Sequence, residues 1–377
     1  MEENSDSHAV RQSNFELLRI VSMLFIILHH ISVHGGWGNG GVFFPEELTI
    51  NAFFLQAILP LGKIGVNVFV LISGYFLINS TKDTWPKIAK LWLEMLFYSV
   101  VVSIAFVFIN DTEYTARQIV SIFTPVLSYT WWFATTYLLM FALSPFINKM
   151  LHSCDENNHL KLIIGLVILW VIIPFFTNLS IELNNLVWFV TLYVIAAYIR
   201  LYPDRFKKKS TTYVGLSLVF FAVLMTIAYL VDITGFTSEF WSIYNPIDHN
   251  NMQNSPFSLI ISFYLFLAFC KWNIKHNSVI NIVAGTTFGI YLIHDHPLVR
   301  GYIYSEVFDC LGHTYSDYLI LYVLTIAVII FLSCMIIELI RNMIIDKTLL
   351  RNLNNFVHDK HCGLNKCIKT TLQRKED

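Results

Sequence analysis

Two side chains capable of anion binding and acid–base chemistry lie inside an apolar run near the start of the chain. The run FELLRIVSMLFIILHH, Phe15 to His30, carries Glu16, Arg19, His29 and His30. An arginine is a fixed cation that suits phosphate and carboxylate. A histidine takes or gives a proton near neutral pH. Arg19 and His30 are eleven residues apart. At 100° per residue the second falls only about 20° past three full turns, so the two share one helix face. They stand about 16 Å apart along the axis. Glu16, Arg19, Met23, His30 and His34 continue that face as one stripe, and His29 points about 80° away from it. Ionisable groups at such depth are costly and mark functional candidates. A blander alternative stays open: Arg19 snorkels to pair with Glu16, and His30 packs as a satisfied core residue.

These residues need long apolar helices to hold them. Of 377 residues, 55% are hydrophobic and 14% charged, well below the charge of a soluble domain. Apolar runs long enough to cross a bilayer recur along the chain. Ten spans are predicted, at 15–34, 58–79, 88–109, 130–150, 161–178, 183–201, 212–231, 256–271, 279–299 and 318–345. With the N-terminus inside, Lys82, Lys87, Lys90, Lys149, Lys161, Arg200, Arg205, Lys207, Lys208, Lys209, Lys271 and Lys275 all fall in inner loops. The outer loops keep only Arg117 and Arg300, with Lys63 at the outer end of the second span. This alternation follows the positive-inside rule. The fold expected is all-α: a polytopic bundle of about ten helices in residues 1–345, both termini cytoplasmic, with a basic cytoplasmic tail over 346–377.

Other features narrow the reading. No cleavable signal peptide is expected, because the first apolar run is too long for one. No internal repeat and no appended soluble domain is evident. The net charge of -1 says nothing of partners, and no nucleic-acid partner is expected. Of the six cysteines only Cys310 falls in a predicted outer loop, so no disulfide is expected there. The outer loops GGWGNGGVFFPEEL and TGFTSEFWSIYNPIDHNNMQNSP are turn-rich and aromatic, and long loops often carry function. In the tail, His358, His361, Cys362 and Cys367 lie close together, but their spacing fits no standard zinc pattern. Lys90 with Glu94, and Glu338 with Arg341, read as interfacial ion pairs.

Four motifs in order resemble the membrane acyltransferase-3 family. They are Arg19 through His30 in the first span; GKIGVNVFVLISGYFLI, with Ser73-Gly74-Tyr75, in the second; WWFATTYLLMFALSP, with Trp132, Phe133, Tyr137 and Pro145, in the fourth; and Tyr291 to His294 in the ninth. The likeness covers nearly the whole chain. One departure stands out: many members place a glutamate in the fourth-span motif, where this chain has Ala134-Thr135-Thr136. The resemblance implies an O-acyltransferase that moves an acyl group, commonly acetyl, from cytoplasmic acyl-CoA to a hydroxyl of a cell-surface or secreted polysaccharide. It implies acetyl-CoA as co-substrate with no bound cofactor, a carbohydrate acceptor, residence in a cell membrane, a bacterial origin, and a separate glycan-assembly partner.

The roles that follow are expectations. Arg19 orients the donor. His30 is the general base or, alternatively, carries the acyl group itself. Lys63, Trp132 and His294 lie at the depth of His30, where each could stabilise an oxyanion or hold the acceptor. Ser73, Gly74 and Tyr75 would flank the pantetheine arm, with Tyr137 among the binding residues. Lys63 could instead snorkel, Trp131 and Trp132 could be interface anchors, and Ser73-Gly74 could be helix-packing small residues. No metal is expected. Three rivals stand beside this reading: a transporter of a small polar or anionic solute, a metalloenzyme built on His30, His294 and His296, and a scaffolding protein, which would leave the Arg19–His30 stripe unexplained.

Overall fold

The computed structural model describes residues 11–37, 49–81, 83–176, 185–234 and 254–346. The aromatic loop residues 38–48 and 235–253, and the tail with its histidines and cysteines, lie outside the described residues. Everything described is helix, turn or irregular backbone, and each of the ten predicted segments falls on helix.

The helices are α1 (Ser13–His34), α2 (Ile50–Leu77), α3 (Trp85–Asn110), α4 (Ala116–Phe123), α5 (Trp132–His152), α6 (Glu156–Val167), α7 (Ile173–Phe176), α8 (Asn185–Leu201), α9 (Ser210–Thr234), α10 (Pro256–Cys270), α11 (Ser278–Gly285), α12 (Thr287–His294), α13 (Pro297–Tyr302) and α14 (Leu319–Arg341). Among the described residues, six helical runs are long and apolar enough to cross a membrane: α1, α2, α3, α6 through α7, α9 and α14. The runs at α8, at α10 and at α11 with α12 are apolar but shorter.

The centre of the bundle is α2, which packs against α1, α8 and α10. It starts earlier than the predicted 58, because the Thr49 hydroxyl caps it by accepting the Ala52 N–H at 3.1 Å. Helices that share lipid as solvent associate through close backbone approach. A Cβ on Gly62 would overlap the His29 ring, so glycine there lets α1 and α2 meet side by side.

Prolines explain the local irregularities. Pro145 has no N–H for the Phe141 carbonyl four residues back, and the Ser144 hydroxyl donates to it instead at 2.7 Å. Pro174 likewise leaves the Trp170 carbonyl, and the Asn254 side-chain amide fills the place at 2.6 Å. The chain between α6 and α7 relaxes into a π-helical stretch, Ile168–Ile172.

Two elements depart from the sequence reading. The ninth segment is not one helix but three. It breaks at Thr286, where the Thr286 and Thr287 hydroxyls turn back to the Val283 and Ala284 carbonyls, and again after His294. Between α3 and α5 lies α4, which hydropathy did not reveal. Its signature is the capping box of Thr115 and Gln118, with Ile119, Val120 and Phe123 left exposed.

Candidate active site

One cavity of about 200 Å³ opens among α1, α2, the start of α5 and the end of α12. His30 stands in its wall, and His294 stands behind it. His30 Nδ1 and His294 Nε2 are 3.0 Å apart, while His294 Nδ1 is 2.6 Å from the Ile290 carbonyl. A carbonyl only accepts, so His294 carries its proton on Nδ1. Its Nε2 is then a lone pair, and His30 must donate to it from Nδ1. This leaves His30 Nε2 as an acceptor. Two side chains and one backbone carbonyl thus fix a tautomer, as the orienting groups of catalytic triads do.

The cavity is charged on its far wall. Lys63 is 8% exposed, and its ammonium sits 5.5 Å from the Trp132 ring centroid. Asp295 is the residue at which α12 ends, and the turn carries its carboxylate into the bundle. Its Oδ1 lies 3.2 Å from Arg300 Nη1, 3.7 Å from His30 Nδ1 and 3.9 Å from His34 Nε2. An imidazolium formed at His30 would therefore face a carboxylate that Arg300 holds in place. The sequence reading places Arg300 only as an outer-loop charge and assigns Asp295 no role. The signal that could have found them is the break before Pro297, since a helix that stops turns its last side chains inward.

His29 was read as pointing away from the stripe. In the structure it lines the same cavity, and its Nδ1–H donates to the Leu59 carbonyl at 2.6 Å. It ties α1 to α2. His296, a ligand in the metalloenzyme rival, instead caps α13 by accepting the Leu298 N–H at 3.2 Å.

A second cavity, of about 370 Å³, opens at the Arg19 end of α1. Arg11, Arg19, Lys87 and Lys90 reach it, with Ser73 and Tyr137 deeper in. Arg19 makes a two-oxygen contact with Glu16, at 2.9 and 3.1 Å, and its side chain keeps 29% exposure. Ser73 and Tyr137 share a hydrogen bond of 3.0 Å. Phe133 and Tyr291 border both cavities, with ring centroids 5.3 Å apart. They are the wall between the two.

The second cavity holds a cluster built on one of the expected ion pairs, Glu338 with Arg341, which is buried in the bundle rather than set at an interface. Glu338 and Arg341 are 2.7 Å apart and buried, Arg341 reaches Glu94 at 3.4 Å, and the Tyr98 hydroxyl donates to Glu338. The correction has a plain cause. An i,i+3 pair looks the same in sequence whether it faces water or protein. Here Gly289 on α12 leaves room for the Glu338 carboxylate, which a Cβ would strike. Two other expectations do not meet the cavity. Gly74 lies against the Tyr193 backbone of α8, where any Cβ would come within 2.9 Å. Tyr75 turns to Arg200, whose guanidinium lies 4.8 Å from its ring, and to Phe15 and Phe266. Both serve helix packing.

A protein-family model described as an acyltransferase domain, of the acyltransferase-3 type, matches residues 12–338. No curated protein and no solved structure matches the chain.

Proposed function

The chain belongs to the acyltransferase-3 family, and from that premise we propose that it is a membrane enzyme that carries an acyl group, acetyl first, from cytoplasmic acyl-CoA to a hydroxyl of a cell-surface or secreted polysaccharide. The observation that carries this reading is the His30–His294 pair, which leaves His30 Nε2 as an acceptor in a cavity backed against a cationic one.

In this reading the bundle crosses ten times with both termini cytoplasmic, and the Arg19 cavity opens inward. The basic tail, 346–377, then lies along the inner surface. Arg11, Arg19, Lys87 and Lys90 suit the phosphates of acetyl-CoA, which is a co-substrate and not a resident cofactor. The pantetheine arm passes Ser73 and Tyr137 and brings the thioester to the Phe133–Tyr291 wall. The acceptor sugar enters the His30 cavity from the other side. A separate glycan-assembly partner supplies the polysaccharide.

The chemistry is then simple. The acceptor hydroxyl gives its proton to His30 Nε2 as its oxygen attacks the thioester carbon. The carbonyl oxygen becomes an oxyanion, which the Lys63 ammonium faces, and Asp295 balances the His30 imidazolium. The intermediate collapses, the C–S bond breaks, and the CoA thiolate takes the proton from His30. No net proton is released. Buried Lys63 supplies its charge without reorganisation, which is where such catalysis gains most.

The test is transfer of labelled acetyl from acetyl-CoA to surface glycan, in cells with matched levels of wild type, His30→Ala and His30→Gln. Loss in both, with unchanged melting of the purified proteins, supports the base role. Transfer retained without His30 refutes it. A stable acyl-His30 adduct trapped on wild type would make the histidine a carrier.

A further inference from the structure

We propose that His30, His34 and Asp295 form a reversible binding site for a zinc-like divalent cation, and that its occupancy stops the transfer. The three offer one donor atom each, and these atoms all lie within 4.8 Å of one another. His30 and His34 are four residues apart on α1, about 40° apart around the axis, the helical spacing at which two imidazoles can meet one ion. Asp295 approaches from a different element, the end of α12, so the ligands converge from two sides. Its Oδ1 lies 3.7 Å from His30 Nδ1 and 3.9 Å from His34 Nε2. Donors about 2.1 Å from a tetrahedral ion are about 3.4 Å apart, so closure needs only small side-chain shifts. Two imidazoles and a carboxylate suit zinc better than magnesium or calcium, which prefer all-oxygen sites. Tyr304 stacks on His34 with centroids 6.1 Å apart and holds that ring in place.

The site is made to exchange its ion rather than to keep it. Arg300 already holds Asp295 Oδ1 at 3.2 Å, and buried Lys63 shares the cavity. Both repel a cation, and Arg300 must release the carboxylate when one binds. Its side chain is 36% exposed, so it has somewhere to go.

The inhibition follows from the tautomer and rests on the base role proposed for His30. The nitrogen nearest Asp295 is Nδ1, the one that donates to His294. An ion needs a lone pair there. The proton must move from Nδ1 to Nε2, which turns the base atom into a donor and breaks the bond to His294. No proton leaves the protein, yet the acceptor for the sugar hydroxyl is gone.

The experiment uses the full-length chain in lipid nanodiscs, carrying a tag without histidine. It is stripped with chelator and equilibrated with zinc chloride. Wild type should hold one more equivalent of zinc than His34→Gln or Asp295→Asn, by elemental analysis, whatever the tail binds. Arg300→Gln should bind more tightly than wild type, a gain that misfolding does not produce. Equal zinc in wild type and His34→Gln, or no tightening in Arg300→Gln, overturns the site. Zinc should lower acetyl transfer by wild type and chelator should restore it. Binding without inhibition overturns the regulatory half. Activation by zinc would keep the site and refute the base role, so the two readings fail separately.

Discussion

At the scale of single residues, the site turns on which nitrogen of each histidine carries a proton. His294 is fully buried and spends its Nδ1 proton on the Ile290 carbonyl, and this sets the state of His30. Removal of the proposed base, His30→Ala, should lower transfer by about 10²- to 10⁴-fold. Lys63→Met should lower kcat by about 10²- to 10³-fold with little change in the KM for acyl-CoA, the pattern of a group that acts only on the transition state. A KM effect alone would return Lys63 to a packing role. Glu338→Gln should instead cost stability, about 3–5 kcal/mol, because it strips one of the two carboxylates that neutralise buried Arg341. A melt would show it. Much of this scale was legible in sequence. Arg19, Met23, His30 and His34 could be set on one face by spacing alone, and each borders a cavity. Asp295 and Glu338 could not be read that way. The first depends on where a helix stops, and the second on whether its neighbours are protein or water.

At the scale of elements, glycine positions decide how near the helices come. Gly62→Val on α2 should push the His29 ring aside, part α1 from α2 and destabilise by about 1–3 kcal/mol. It should also impair transfer, because α1 carries His30. Gly74→Val should destabilise through α8 and leave the KM for acyl-CoA unchanged in whatever protein folds. Comparing kcat, KM and melting for the two variants separates site from scaffold. Apolar runs were readable from hydropathy, yet the early start of α2 at Ile50 and the division of the ninth segment were not. In VAGTTFGIYLIHDHP the second break is marked by HDHP, but at the first only Gly285, Thr286 and Thr287 interrupt the apolar run. Two consecutive threonines make the break by competing for backbone carbonyls, a local contest that a window average erases.

For the whole molecule, the orientation proposed from loop charge is open to a direct check. Cys310, in a loop of the predicted outer face, is fully buried, and burial pushes its thiol up to about 12. Cys154 lies in a loop of the predicted inner face and is half-buried. An impermeant maleimide added to intact cells should therefore leave wild type unlabelled and label Glu113→Cys. Permeabilisation should add the cysteines of the predicted inner side, Cys154 with Cys362 and Cys367. The reverse pattern would invert the bundle. The wall formed by Phe133 and Tyr291 has a further meaning in a membrane. In the proposed orientation the two hollows would approach from opposite faces of the membrane, with the rings of Phe133 and Tyr291, which border both, between them. That pair of rings would then also be the electrical insulation of the membrane at this point. A protein of this shape is one side chain away from being a leak, so Phe133→Gly in liposomes should raise proton conductance above that of wild type, whether or not a substrate is present.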